Sequence, residues 1–478
     1  MKPEELSDAV GGLDEKIVEE ADSARVKKAK KSRKPLWITI GAAAACAGIV
    51  GGIAAMSNTT PLGVTAAAEA VYPTMAHYPN EANGLTFDRD YNNWWKDRQA
   101  QRCLDGSYDD NLWDFYGDST NTFLSGVEEN RVYSPLNLYM ALAMLAETTE
   151  GNSRRQILDL LSAEDIKSLR KQAGLLWNAN YCNDGAITSI MGNSVWLDKS
   201  LDYDQNTLNR LAESYYTSSY SGSFGSDEMN EQLRKWLNDQ TGGLLKDAVD
   251  NVELPPAPDT VLALYSTVLF KAKWDAEFNP ANNDMKLFHA PSGDIETEFM
   301  NRKGLDANYY WGEDFGAISL DFASGCEMWL ILPDEGKSVD DVLNSGEYME
   351  LVKNPYEWEN RKYLVVNCSV PKFDVSSTID LTEGLTKLGI TDVFSPESGD
   401  FCILNGDNSG IFLGKATHSA RVKINEEGCE AAAFTEMAMA GAGMPPDEIV
   451  DFVLDRPFLF VIGGMDGQPL FTGTVYTP

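Results

Sequence analysis

The sequence predicts an α+β protein, because helix-like and strand-like patterns occupy different parts of the chain. Apolar residues recur at helical spacing where the continuous globular pattern begins, near Asp109, and β-rich runs fill its final third. No internal repeat or second domain boundary interrupts residues 109–478. Asp109–Leu124 reads as a helix through Leu112, Trp113, Phe115, Tyr116, Phe123 and Leu124. Leu136–Leu145 and Ser153–Leu161 read as two more helices. Val261–Phe270, Met328–Leu332 and Lys362–Val370 read as strands, the last with Leu364, Val365 and Val366 in a run that suggests burial. Phe458–Ile462 and Leu470–Val475 repeat the strand pattern.

Ahead of that region the chain reads as a basic tail (1–35), a membrane span (36–56) and a stalk (57–108). The run Lys27-Lys28-Ala29-Lys30-Lys31-Ser32-Arg33-Lys34 precedes a segment with no charge from Leu36 to Met56. That segment is long enough to cross a bilayer core as one helix. Its basic flank should stay in the cytoplasm, placing everything after Met56 outside the cell. A cleaved signal peptide, which would make the protein secreted, is the alternative. It is disfavoured by the long basic region and by small residues, Ala66–Ala70, that lie well past the apolar run. Gly48 and Gly52 form a GxxxG too weak, in so glycine-rich a segment, to imply pairing, so a monomer is expected. Residues 57–108 mix Pro, Asn, Gly and Tyr with the pair Trp94-Trp95, hence the stalk.

The net charge of −34 arises wholly outside the first 56 residues, which hold nine basic and eight acidic side chains. So acidic an exterior argues against nucleic-acid binding, which needs clustered Lys and Arg. None of the seven cysteines forms a CxxC, and their scatter suits buried thiols better than a disulfide framework or a metal site. Only His77, His289 and His418 occur, with no HExxH and no GxSxG. Ser168 and Lys171 fit SxxK without its companion motifs, and Gly414-Lys415 lacks the rest of a phosphate loop. The chain is therefore expected to need no cofactor or metal and not to be an enzyme.

The segment Glu426-Glu427-Gly428-Cys429-Glu430-Ala431-Ala432-Ala433 carries a different signal. Read locally, with Gly441 behind it, it is a short helix with a glycine cap. Read with period two, Cys429, Ala431, Ala433, Thr435 and Met437 form an uncharged set, while Glu430 and Glu436 fall in the other. That alternation suits a strand with one face in a core, and a helix has no reason to show it.

The surrounding motifs then resemble those of the serpins in serpin order, over residues 109–478. They are Val132-Tyr133-Ser134-Pro135-Leu136-Asn137 with Gly151-Asn152-Ser153, and Trp236 through Gly243. Phe270-Lys271-Ala272-Lys273-Trp274, Val370-Pro371-Lys372-Phe373 and Leu388–Phe394 follow. His418, Asn425–Gly428, Arg456-Pro457-Phe458-Leu459-Phe460 and Phe471-Thr472-Gly473 complete the series. The resemblance implies a helical N-terminal part, a large mixed sheet with smaller sheets, and an exposed reactive-centre loop. It implies a suicide inhibitor of serine proteases whose hinge is Glu426–Ala433. Counting from Gly428 as in that family puts the cleaved bond at Ala442–Gly443, and Pro445-Pro446 just beyond agrees. These small residues imply elastase-like or subtilisin-like targets. A non-inhibitory binding protein of the same fold, or a cysteine-protease inhibitor, is the alternative. Ser134, Asn137, Ser266, Trp274, Lys372 and His418 are implied to control opening of the sheet. Lys372 should pair with Glu426. Asn137 and Ser266 look like an exchange of hydrogen-bonding partners within one network that includes His418.

Overall fold

The computed structural model describes residues 63–79, 86–102, 111–185, 187–243, 260–322, 325–414, 416–429 and 448–478. The expected span at 36–56 lies outside them, as do Glu430, Ala431, Ala432, Ala433, Ala442 and Gly443. The longer helices are α1 (Phe87–Arg102), α2 (Leu112–Leu124), α3 (Pro135–Glu147), α4 (Gly151–Leu160), α5 (Ile166–Asn180), α6 (Gln205–Tyr215) and α7 (Asp227–Gln240). Shorter ones follow: α8 (Val339–Ser345), α9 (Glu347–Lys353) and α10 (Thr382–Lys387).

The strands begin with β1 (Thr65–Ala68), β2 (Arg131–Tyr133), β3 (Cys182–Asn183), β4 (Thr188–Asp198), β5 (Thr217–Gly222) and β6 (Leu262–Lys273). Next come β7 (Asp284–Ala290), β8 (Gly293–Trp311), β9 (Phe315–Asp321), β10 (Glu327–Pro333), β11 (Arg361–Pro371) and β12 (Phe373–Asp380). The last are β13 (Thr417–Ile424), β14 (Gly428–Cys429), β15 (Ile449–Val453), β16 (Phe458–Gly463) and β17 (Pro469–Val475). One sheet runs β1-β5-β4-β6-β14-β13-β12, with β3 on β4. The other runs β15-β11-β8-β9-β10-β16-β17-β2, with β7 on β8.

The expected helices and strands are all present, each within a few residues of its predicted bounds. Helix α3 shows why they form. Pro135 sits in its first turn, the Ser134 side chain accepts from the Asn137 N–H, and no charged residue appears before Glu147. A helix apolar on every side has to be buried. All of α3 but Ala141 is buried, and it touches β6 of one sheet and β17 of the other. Strand β11 alternates instead of lying wholly in the core, with Leu364 and Val366 buried and Val365 half-buried.

The stalk expectation needs correction where the chain is described. Thr65 to Ala68 form an edge strand antiparallel to β5, and Val64 beside them is buried. The Trp94 region is the helix α1, whose Phe87, Tyr91, Trp94 and Arg98 share one face at helical spacing. Trp94 packs edge-on against Tyr78, 5.0 Å between ring centres, and is buried with Arg98. The intervening Asp, Asn and Arg residues make the composition look solvated and hide the stripe. Ser168 is also plainly structural, since it completes a capping box with Asp165 at the start of α5.

Candidate functional site

Strand β13 turns back on itself through Asn425-Glu426-Glu427-Gly428. The Asn425 N–H donates to the Gly428 carbonyl (3.0 Å), and the Gly428 N–H returns the bond (3.2 Å). The Asn425 side-chain oxygen accepts from the N–H groups of Glu427 and Gly428, at 2.9 and 3.1 Å. Gly428 has φ +145°, and a Cβ there would collide with the Ala272 carbonyl oxygen. Only glycine fits such a position.

Beyond the turn, Gly428 and Cys429 pair antiparallel with β6 on one side, opposite Lys273 and Ala272. Cys429 also pairs with Ile424 of β13 on the other side. The first residues of the segment thus already form a strand inside the sheet, and the Cys429 side chain is buried in the core. Among the described residues β6 and β13 are linked only through β14. Glu448 leads into β15, which is parallel to β11 at the edge of the other sheet. Residues 430–447 therefore connect the middle of one sheet to the edge of the other.

Side chains from five segments meet at this turn. The Trp274 indole N–H donates to the Asn425 carbonyl (2.9 Å), and its ring stacks on Phe322 with centres 4.4 Å apart. The Trp274 and Phe278 N–H groups donate to the Glu427 and Glu426 carbonyls, each at 3.0 Å. Lys372 Nζ lies 2.7 Å from Glu426 Oε1 and 2.7 Å from Glu298 Oε2. Asn283 Nδ2 donates to both carboxylates, at 2.6 and 3.2 Å.

Lys372 and Asn283 hold the Glu298 carboxyl below the usual range. Burial pushes Glu426 upward, but the bonds from Lys372 and Asn283 outweigh it and keep the group ionised. Burial opposes the charge on Lys372 as well, and its two carboxylates outweigh that and raise its pKa. Glu298 and Asn283 are not among the residues expected from the sequence. They reach Lys372 through the register that sets Pro371 and Asp284 opposite Phe299.

The remaining predicted residues form two sets instead of one network. His418 on β13 accepts the Ser134 N–H at Nε2 (3.1 Å), with the Tyr133 ring edge-on at 5.3 Å. Ser266 on β6 donates to Asn193 Oδ1 (2.7 Å), and Asn193 Nδ2 donates to the Tyr215 carbonyl. Asn137 is buried in the first turn of α3, and the expected exchange with Ser266 is not formed. The reason is register: Asn193 lies directly opposite Ser266 in the β4–β6 ladder and satisfies it locally. Sequence reasoning misses Asn193 for the same reason.

Burial holds His418 neutral, lowering its pKa from 6.5 to about 4. The unfolded chain gains the proton as pH falls through 6.5, whereas the folded protein gains it only near 4. Acid should thus favour unfolding over that window by about 3 kcal/mol, with no effect above it. The thermal midpoint is expected to fall between pH 6.5 and 4, and His418→Gln should flatten that slope. An equally steep slope in the variant would exclude His418 as its source.

Comparison with known proteins places this geometry. A family model described as serpin (serine protease inhibitor) matches residues 116–478. The alpha-1-antiproteinase of Callosciurus caniceps is 30% identical over 362 residues, covering 73% of this chain and 83% of that protein. A putative serpin-Z6C of Oryza sativa subsp. japonica is 28% identical over 388 residues, covering 74% and 92%. Among solved structures, the thermophilic serpin tengpin in its native state superposes with a TM-score of 0.68 at 25% identity. That match covers 78% of this chain and 96% of tengpin. Thyroxine-binding globulin in complex with thyroxine, 23% identical, superposes at 0.63 over 77% of this chain and 96% of its own, a likeness of fold alone.

Proposed function

This chain belongs to the serpin family, and on that premise we propose that it inhibits serine endopeptidases as a suicide substrate. One observation carries the reading: Gly428 and Cys429 already lie between β6 and β13, which have no ladder of their own among the described residues. A strand placed there is antiparallel to both neighbours, so further residues of the same segment can extend it with every backbone group paired. The uncharged set that starts at Cys429 would then fill the core face.

In this mechanism the protease supplies the catalysis. Its serine Oγ bonds to the Ala442 carbonyl carbon, and the Ala442–Gly443 bond breaks. Gly443 leaves as an amine after taking a proton from the protease's histidine. The freed segment from Gly428 to Ala442, extended over about 50 Å, enters the sheet and carries the tethered enzyme along before water can release it. Glycine and alanine around the bond suit proteases with shallow primary pockets. Residues 36–56 act as an uncleaved anchor holding a monomeric domain outside the cell. Release of the full chain from membranes by alkaline extraction would argue against that anchor.

The decisive test is a denaturing gel after mixing with elastase-like and subtilisin-like proteases. A band at the summed mass that survives boiling in detergent is expected. If members of that panel cut the loop and depart without one, the chain is not an inhibitor of this kind. Stable complexes with cysteine proteases alone would redirect the reading to that class.

A further inference from the structure

The segment ahead of α2 runs from the β5 edge of the sheet that has to open to the loop between β16 and β17. β1 pairs with β5, and the Ala70 N–H donates to Ser218 Oγ on the same strand (3.2 Å). Tyr72 then packs against Trp177, 5.1 Å between ring centres, beside Tyr181 and Tyr216. Trp177 is itself stacked between those two rings, at 4.6 and 3.6 Å. The Tyr78 N–H donates to the Asp184 carbonyl (2.8 Å), and α1 ends the crossing with Arg98 buried against Asp184 and the Met465 sulfur.

These contacts join parts that loop insertion must move relative to one another. A new strand between β6 and β13 needs about 4.8 Å of extra width. β5, β4 and β6 are tied by continuous ladders and have to shift together. Trp177 of α5 donates its indole N–H to the Met191 carbonyl on β4 (2.9 Å), and Met465 lies between β16 and β17 of the other sheet. The segment touches both sides, since β1 and Ala70 bind β5 of the plate while Arg98 reaches Met465. The β5–β4–β6 ladders therefore lead from this segment to the wall of the slot.

Resting on the inhibitory reading above, we propose that residues 63–79 and 86–102 are a clamp on loop insertion, with Tyr72 as its positioning contact. The clamp holds the β5–β4–β6 plate against the helical layer and delays spontaneous conversion to the inserted, inactive form. Tyr72→Ala removes the ring from its aromatic slot. Ala68→Pro places a proline in the four-residue edge strand opposite Ser219, where its ring restricts the backbone and removes an N–H. Tyr72→Phe keeps the ring.

The test follows the full-length protein during incubation below its unfolding temperature, scoring the active inhibitor left and the heat-stable monomer formed. Tyr72→Ala and Ala68→Pro should each convert roughly tenfold faster or more, equivalent to about 1.4 kcal/mol in barrier, and Tyr72→Phe within about threefold. Should Tyr72→Ala not fold, Ala68→Pro decides alone. Conversion of either folded variant at the rate of the unmodified protein overturns the clamp. A loop-cleaving protease added to the unmodified protein separates this failure from that of the inhibitory reading. Without a gain in heat stability after cleavage no insertion occurs, and the inhibitory reading falls together with the clamp.

Discussion

Thr435→Arg is expected to turn the protein from an inhibitor into a substrate. Thr435 belongs to the set that begins with Cys429, whose side chain is buried in the core between β6 and β13. Two-residue periodicity sends each later member of that set to the same face. Inserting the variant loop would place an unpaired guanidinium in the core, at a cost of several kcal/mol. Insertion then loses its race with hydrolysis of the acyl-enzyme, and the protease departs intact. The measured quantity is the number of inhibitor molecules consumed per protease inactivated, which should rise about tenfold or more at ~1.4 kcal/mol per decade. Glu436→Arg, on the opposite face, should change it far less. Equal losses in the two variants would mean that the phase of the inserted strand is wrong.

The second large effect concerns the turn itself. The Glu426 side chain is 15% exposed and shares Lys372 with Glu298. An exposed ion pair is worth only ~0–1 kcal/mol, while breaking a buried one costs ~3–5 kcal/mol. Glu426 lies between these limits, and Glu426→Lys replaces an attraction with a repulsion, so a loss of about 2 kcal/mol or more is expected there. On the proposed mechanism the loss falls where β14 separates β6 from β13, so it should appear as early opening. Multimers on native gels and a fall in active inhibitor during mild heating are the expected observations. A Glu426→Lys protein that remains monomeric and active through the same incubation would remove this cluster as a gate.

Both effects rest on features legible in the order of the amino acids. Short motifs mark the turn at Asn425–Gly428 and the pairing of Lys372 with Glu426, and periodicity marks the helices and strands. The stripe Phe87, Tyr91, Trp94 and Arg98 is equally present in the sequence, but charged neighbours mask it and make a stalk the natural expectation. Asn193, Asn283 and Glu298 are not legible in that way. No local pattern marks them, and each matters only through the strand that happens to lie beside it.

By itself, then, the sequence determined what depends on neighbours along the chain. That includes where the backbone turns, which face of each element is apolar, and that Cys429 suits a strand with its side chain in the core. Period and side-chain volume suffice for those conclusions, because they act within a few residues. Tertiary structure decided which residues share a hydrogen bond or a charge. Ser266 found Asn193 in place of Asn137 because strand register sets them face to face. Tyr72 came to rest on Trp177 because β1 could add a row of backbone hydrogen bonds to the open edge of β5. These partners lie far apart along the chain. Strand order and register bring them together, and both are settled only when all the strands compete for the same edges.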